Sequence, residues 1–201
     1  MENKIDQKHK QKMQLLKSKV DASIAAATIK KGVGILLTGD GKGKSSSALG
    51  MALRSLGYGY KVGIVQFIKG AQPSGEAKFF SEIVSNATFY QMGTGFTWET
   101  QDRSKDIKAA EASWEVAAKM LSDDAYHLVI LDELTYMLSF GYLDEERVIK
   151  ALTQRPKKQS VVVTGRGGGK ALKDWADTVS EVRDIKHAFN SGIMALEGVD
   201  F

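Results

Sequence analysis

The chain has 201 residues, 43% of them apolar, which suits a single domain with a sizeable core. It contains no cysteine, so disulfides and thiolate metal sites are excluded, which fits a reducing compartment. The net charge of +4 is concentrated in residues 1–31, which hold eight lysines and three acidic residues, leaving −1 for the rest of the chain.

This charge distribution argues against a nucleic-acid partner, because a nucleic-acid groove spreads basic residues over the folded body. No apolar run approaches the roughly 18 residues of a membrane-spanning helix. The N-terminal sequence MENKIDQKHKQK also lacks the apolar core of a secretion signal. We therefore expect no membrane association and a cytoplasmic location.

The first predicted element is a lysine-rich helix over residues 3–29. Apolar residues recur at spacings of three and four, which places them on one stripe of the helix: Met13, Leu16, Val20, Ile24 and Ala27. The stripe favours a peripheral helix that lies on the domain or on a partner subunit, and a lid over a ligand pocket is the alternative. Gly32 and Gly34 mark a hinge, so we divide the chain into an N-terminal helix at 1–31 and a body at 32–201.

Strand-like and helical patterns alternate through the body. Short apolar runs predict six strands, several of them apolar throughout, as in parallel strands covered on both faces: 33–38, 61–67, 87–92, 128–133, 160–165 and 177–182. Helical periodicity lies between them, most clearly at 44–56, 104–121 and 144–154. The alternation predicts an α/β fold with a doubly wound, mostly parallel sheet, whose ligands bind beyond the carboxyl ends of the strands.

The stretch TGDGKGKSSS, residues 38–47, lies between the first strand and a helix and resembles a phosphate-binding loop, G-x-x-x-x-G-K-[ST]. Thr38 stands where the first glycine belongs, so a loop that begins at Gly39 is one residue short. Backbone N–H groups and Lys44 would bind phosphates, and the Ser45 hydroxyl would ligate Mg²⁺. A glycine-rich turn without a ligand is the alternative.

The residues of this loop that are predicted to bind the nucleotide phosphates are Gly39, Asp40, Gly41, Lys42, Gly43, Lys44, Ser45 and Ser46. Asp40 is the least expected of them, because a carboxylate beside phosphates repels them unless it points away. Lys42 adds a second cation to the loop.

Two carboxylates and an arginine follow other predicted strands. Asp132 and Glu133 end the apolar run LVILDE, where one of them would hold Mg²⁺ directly or through water. A helix N-cap at Asp132 with a solvated Glu133 is the alternative. Arg166, in TGRGGG, would bind phosphate or an anionic substrate, with a surface turn as the alternative. The loop and these acids together predict a site for a magnesium–nucleotide triphosphate.

The loop GTGFTWETQDR, residues 93–103, places two aromatic residues after the third strand. Phe96 and Trp98 flank Thr97. Large aromatics at the ligand-binding edge of a sheet favour a flat apolar ligand or a mobile cover. Anchoring of the loop in the core is the alternative.

Motifs along the whole chain resemble those of the ATP:corrinoid adenosyltransferases of the CobA/BtuR type. They are GDGKGKSS, VGIVQFIKG, GFTWETQ, VILDELTY, VVVTGRG, ADTVSEV and KHAFNSGIMALEGVDF, in this order. The resemblance implies a P-loop NTPase-like α/β domain in which cob(I)alamin or a related corrinoid attacks the ribose 5′ carbon of ATP. It further implies release of triphosphate, a need for Mg²⁺, a homodimer, and a reduced flavodoxin or flavoprotein as electron donor.

The resemblance also implies roles for single residues. Lys44, Ser45 and Glu133 become the catalytic residues, with Ser45, Glu133 and the supporting Asp132 at Mg²⁺. Phe96, Thr97 and Trp98 would contact the lower face of the corrinoid, and the N-terminal helix would cover it. Ser45 replaces a frequent threonine but keeps the hydroxyl, and Gly168 and Gly169 lengthen the turn after Arg166.

Two rival interpretations stay open at this point. One is a P-loop ATPase in which Glu133 activates water, although the short phosphate loop and the aromatic loop disfavour it. The other is a nucleotide-dependent switch acting on a protein partner, which the lack of a second interaction domain disfavours.

Overall fold

The computed structural model describes residues 4–68, 74–92 and 102–200. By contacts the chain divides into two compact units, Met1–Lys30 and Lys31–Phe201. The first unit holds helix α1 (Lys4–Ala26), which confirms the predicted helix. Within α1, Lys17 and Asp21 form an ion pair of 2.6 Å one turn apart.

The second unit is built on a six-stranded sheet in the order β3-β2-β4-β5-β1-β6, with every neighbouring pair parallel. The strands are β1 (Gly34–Thr38), β2 (Lys61–Gln66), β3 (Ala87–Gln91), β4 (Tyr126–Asp132), β5 (Ser160–Thr164) and β6 (Thr178–Glu181). All six predicted strands are present within two residues of their predicted ends. The sheet is wholly parallel where the sequence predicts a mostly parallel one.

Helices connect these strands. They are α2 (Lys44–Gly57), α3 (Gly75–Lys78) with a π-helical turn (Phe79–Ile83), α4 (Arg103–Ser122), α5 (Leu134–Ser139), α6 (Glu145–Gln154), α7 (Gly169–Trp175) and a 3₁₀ turn (Ala188–Ser191). The predictions of α2, α4 and α6 are confirmed. Their starts have local causes: the Asp102 carboxylate accepts from the backbone N–H groups of Ser104 and Lys105, and Asp144 accepts from that of Arg147.

Alternate residues of the strands pack into two separate cores, one on each face of the sheet. Leu36 and Leu131 join the core with α4, α5, α6 and α7, where Trp114 is fully buried. Leu37 and Ile130 join the opposite core with α2. Because both faces are covered, the strands are apolar throughout, as the sequence indicates.

The strand order decides which carboxyl ends lie side by side. β1 pairs with β5, and β5 pairs with β4, so the loops that follow these three strands share one edge of the sheet. Sequence segments more than 100 residues apart therefore converge there. None of the helices in the part of the chain described above is long and apolar enough to cross a membrane.

Candidate functional site

The loop at 39–43 joins β1 to α2 and is shaped by glycine. Gly39 and Gly43 have φ of +102° and +115°, a left-handed region that residues with a side chain rarely adopt. Gly43 is the N-cap of α2, so the first N–H groups of that helix face the loop. This arrangement provides the backbone donors and the helix dipole that an anion site needs.

The segment after β6 supports the short loop from outside. The N–H of Val182 donates to Thr38 O and the N–H of Gly41 donates to Val182 O, both at 2.8 Å. A Cβ on Gly39 would lie 2.4 Å from Val182 O, and one on Gly41 would lie 2.5 Å from Arg183 O. Only glycine fits so close to a neighbouring backbone, and the loop is thereby tied to β6.

Lys44 is the first residue of α2 and is only 7% exposed. Its ammonium donates to the Gly41 carbonyl at 2.9 Å. The charged group is therefore folded back over the loop and forms no ion pair with a carboxylate of the described residues, so its charge is available to an anion.

Asp132, at the end of β4, is 2% exposed and satisfied by protein donors. Its Oδ1 accepts from the Thr164 hydroxyl at 2.6 Å, and its Oδ2 accepts from Gln66 Nε2 at 3.1 Å. Gln91 Nε2 donates in turn to Gln66 Oε1 at 2.7 Å. Asp132 therefore links strands β2, β4 and β5, and it does not line the cavity described below.

Glu133, the next residue, has a different environment. It adopts φ of +60°, a left-handed conformation that costs a residue with a side chain roughly 1–2 kcal/mol. Its N–H donates to the Thr164 hydroxyl at 2.9 Å, which holds this backbone in place. Glu133 is the N-cap residue of α5 but makes no capping hydrogen bond with its side chain.

Glu133 is half-buried, and its Oε2 is a buried atom with no hydrogen-bond partner among the described residues, a property that only Gln159 Oε1 shares there. Burial, with the nearby Asp132 charge, raises the pKa of Glu133 to about 7, although Lys44 and Arg166 oppose the rise. An unpartnered buried oxygen calls for a cation or a donor that the protein itself does not supply.

Arg166 follows β5 in a turn of glycines. Gly167, Gly168 and Gly169 have φ of +83°, +107° and +57°, which turns the chain from β5 into α7. The Thr135 hydroxyl donates to the Arg166 carbonyl at 2.9 Å. The Arg166 guanidinium lies 3.7 Å from the Asp40 carboxylate, with both side chains more than half exposed. The extra glycines therefore shape the turn, and Asp40 turns towards an arginine.

These groups line one cavity of about 300 Å³, the phosphate cavity. Its lining contains the predicted loop from Asp40 to Ser46, though not Gly39, together with Glu133 and Arg166, and also Glu76, Tyr136, Asp184, His187, Val199 and Asp200. The last six were missed by sequence reasoning. Tyr136 follows Glu133 by one turn of α5, a spacing that could have indicated it, whereas His187, Val199 and Asp200 lie in the motif KHAFNSGIMALEGVDF, which by itself indicates no role for them.

The residues at this cavity fit a Mg²⁺ ion. The Ser45 hydroxyl and the unpartnered Glu133 oxygen are hard oxygen ligands of the kind that Mg²⁺ uses with phosphate oxygens and water. Across residues 4–68, 74–92 and 102–200, no group of three or more His, Asp or Glu side chains forms a metal site. An ion here would therefore depend on phosphate for several of its ligands.

The aromatic residues Phe96, Thr97 and Trp98, predicted to contact a corrinoid, lie outside the described residues.

The chain matches known proteins over nearly its full length. A family model described as ATP:corrinoid adenosyltransferase BtuR/CobO/CobP matches residues 30–201, which include every residue that lines the phosphate cavity. A protein named corrinoid adenosyltransferase from Pseudomonas aeruginosa PAO1 is 51% identical over 196 residues, covering 98% of this chain and 97% of the relative. Corrinoid adenosyltransferases from Escherichia coli K12 and Salmonella typhimurium LT2 are each 46% identical over 98% of this chain and 99% of their own lengths.

Proposed function

We propose that this chain, which belongs to the ATP:corrinoid adenosyltransferase family and is a corrinoid adenosyltransferase, joins the 5′-deoxyadenosyl group of ATP to the Co(I) of a corrinoid. The electron pair of Co(I) forms the bond to C5′ while the C5′–O bond breaks. The electrons of that bond leave with the triphosphate. The product is adenosylcobalamin or an adenosylated precursor.

The observation that carries this proposal is the composition of the phosphate cavity. Its wall combines the backbone N–H groups at the start of α2 with three cations, Lys42, Lys44 and Arg166. Negative charge grows on the triphosphate as the C5′–O bond breaks. Fixed cations beside the triphosphate stabilise that charge and so lower the activation barrier of the transfer. Co(I) is a strong nucleophile, so positioning and charge stabilisation suffice and no general base is needed.

Mg²⁺ belongs to the proposal as a cofactor. Ser45 and Glu133 would hold it, and when bound it supplies positive charge to the phosphate oxygens. Asp132 supports Glu133 indirectly, because the Thr164 hydroxyl donates to Asp132 and accepts from the Glu133 N–H. The buried acid thus orients the residue that faces the cavity.

The corrinoid half of the site is proposed from the family resemblance. We assign Phe96, Thr97 and Trp98 to the lower face of the corrinoid, where displacing the axial ligand makes Co(II) easier to reduce. The N-terminal helix is proposed as a cover for this half. A homodimer in the cytoplasm, supplied with electrons by a reduced flavodoxin or flavoprotein, completes the proposal.

Product analysis tests the reaction. We expect anaerobic incubation with ATP, Mg²⁺ and chemically reduced corrinoid to yield adenosylcorrinoid and one equivalent of inorganic triphosphate. Absorbance verifies Co(I) before enzyme is added, and chromatography separates triphosphate from ADP. Unchanged corrinoid under verified Co(I) would overturn the proposal.

The aromatic residues are tested by changing the electron source. Phe96→Ala and Trp98→Ala should lose activity mainly when the reaction starts from Co(II) with a protein reductant. With Co(I) supplied chemically, their rates should stay close to that of the unaltered protein. Equal losses in the two assays would contradict the proposed role of these side chains.

ATP hydrolysis with Glu133 as the base is a second candidate, and one observation favours it. The pKa of about 7 at Glu133 suits a general base near neutral pH. Stoichiometric ADP and phosphate, formed without corrinoid, would establish this alternative.

A further inference from the structure

The C-terminal segment, residues 184–200, forms one wall of the phosphate cavity. Asp184, His187, Val199 and Asp200 line it together with the loop that carries Lys42. This wall brings carboxylates to a place where the proposed function requires a polyanion. The position of each carboxylate therefore matters for phosphate binding.

Asp200 is held from both sides of its carboxylate. Its Oδ1 accepts from the Lys42 ammonium, and its Oδ2 accepts from the Leu196 N–H at 2.8 Å. The Asp200 N–H donates back to Leu196 O at 2.8 Å, closing a turn. The hydrogen bond from Lys42, then that from Leu196, lowers the pKa of Asp200, with a smaller contribution from His187.

Lys42 therefore has an internal carboxylate partner in the place of a phosphate. Arg166 has one too, Asp40, at the longer distance of 3.7 Å. Lys44 differs, because its ammonium donates to the neutral carbonyl of Gly41 and forms no ion pair within the described residues. Two of the three cations in the cavity wall are thus paired with carboxylates of the chain.

We infer that Asp200 is a positioning residue. Its carboxylate pairs with Lys42 while triphosphate is absent, and a phosphate oxygen replaces it at Lys42 when triphosphate binds. Lys42 has three N–H donors, but a carboxylate kept beside a bound phosphate would repel it. Exchange removes that repulsion during binding. The return of Asp200 to Lys42 then favours departure of triphosphate after transfer. The inference rests on the proposed function for the identity of the ligand.

Binding of inorganic triphosphate with Mg²⁺ to the full-length protein tests this exchange by calorimetry. We expect Asp200→Asn to bind about threefold to tenfold more tightly, since a partly exposed ion pair no longer competes. Glu197→Gln is the matched control, because it removes one negative charge from an exposed residue of the same segment that neither lines the phosphate cavity nor forms an ion pair with another described residue. Its affinity should stay within about twofold of the unaltered protein.

Two further variants separate exchange from structural damage. Asp200→Glu keeps the charge and should restore the weaker binding. In a Lys42→Met background, Asp200→Asn should no longer tighten binding, because no lysine remains to be released. In turnover, Asp200→Asn should lower both KM for ATP and kcat, whereas a damaged cavity wall would raise KM.

Equal or weaker triphosphate binding by Asp200→Asn would overturn the inference. So would equal tightening by Glu197→Gln, which would reveal only a general effect of charge. Persistent tightening in the Lys42→Met background would do the same. If the unaltered protein bound neither triphosphate nor ATP, the proposed function itself would fail, and this inference with it.

Discussion

Two neighbouring regions at the carboxyl ends of the strands differ in the hydrogen bonding of their carboxylates. In the Asp132 cluster, formed by Asp132, Thr164, Gln66 and Gln91, both carboxylate oxygens accept hydrogen bonds from protein side chains. One residue further on, at the phosphate cavity, the buried Glu133 Oε2 accepts no hydrogen bond from any residue that the structure describes.

The contrast separates stability from function. A satisfied buried carboxylate joins strands, because its removal leaves donors without acceptors. An unsatisfied one destabilises the empty protein and is retained where a ligand later supplies the partner. We therefore expect substitutions in the Asp132 cluster to alter mainly stability, and substitutions in the phosphate cavity to alter mainly activity.

The largest effect is expected at Lys44. Lys44→Ala should lower kcat/KM by about a hundredfold to a thousandfold even with Co(I) supplied, because a fixed cation at the leaving group is lost. The anaerobic adenosylation assay measures this. Lys170→Ala, which removes an exposed lysine paired with Asp174, is the control and should retain full activity. An active Lys44→Ala protein would remove the cavity from the proposed mechanism.

The next effect concerns Glu133 and depends on pH. Its folded pKa, about 7, lies above the ordinary 4.5, so its contribution to stability is fully present below pH 4.5 and is lost as pH rises through 7. Glu133→Gln has no such loss. Without Mg²⁺ or nucleotide, it should be more stable than the unaltered protein at pH 8 by up to about 3 kcal/mol.

Urea unfolding at pH 8 and near pH 4.5 measures this difference, which should shrink towards zero at the lower pH. The same variant should have greatly reduced adenosylation activity. If Glu133→Gln were less stable than the unaltered protein at pH 8, the proposed difference between the Asp132 cluster and the phosphate cavity would be wrong.

Asp132→Asn should destabilise the protein, because the NH₂ group of the asparagine would face a donor, Thr164 or Gln66, where a carboxylate oxygen now accepts. We expect a loss of about 2 kcal/mol. For a chain of this size, that loss lowers the melting temperature by about 4–8 °C. Thermal unfolding followed by circular dichroism checks it. If Asp132→Asn melted at the same temperature as the unaltered protein, the Asp132 cluster would not be stabilising the sheet.

The smallest effect is expected at the outer end of the cluster. Gln91→Leu leaves Gln66 Oε1 without its donor at a half-buried site and should cost about 1 kcal/mol or less. Its melting temperature measures the loss, and Gln91→Glu is a useful second variant because it keeps the shape. A loss as large as that of Asp132→Asn would show that the cluster acts as one unit.

Much of the fold could be predicted because its signals are local. Continuous apolar runs mark buried parallel strands, and periods of three and four residues mark α2, α4 and α6. The short helices α3, α5 and α7 were missed, since four to seven residues are too few to show a periodicity. They are held by packing against the sheet and by capping, as where Ser74 accepts from the Ala77 N–H.

The sequence by itself determined the α/β class, the six strands and the glycine–lysine loop, because each depends on the chemistry of adjacent residues. Only the tertiary structure decided that Val182 braces this loop, that Asp132 is satisfied while Glu133 is not, and that Asp200 pairs with Lys42. These contacts join residues as far as 158 positions apart, and the strand order brings them together. No local propensity records which distant partner a side chain meets, because that choice belongs to the packing of the whole sheet.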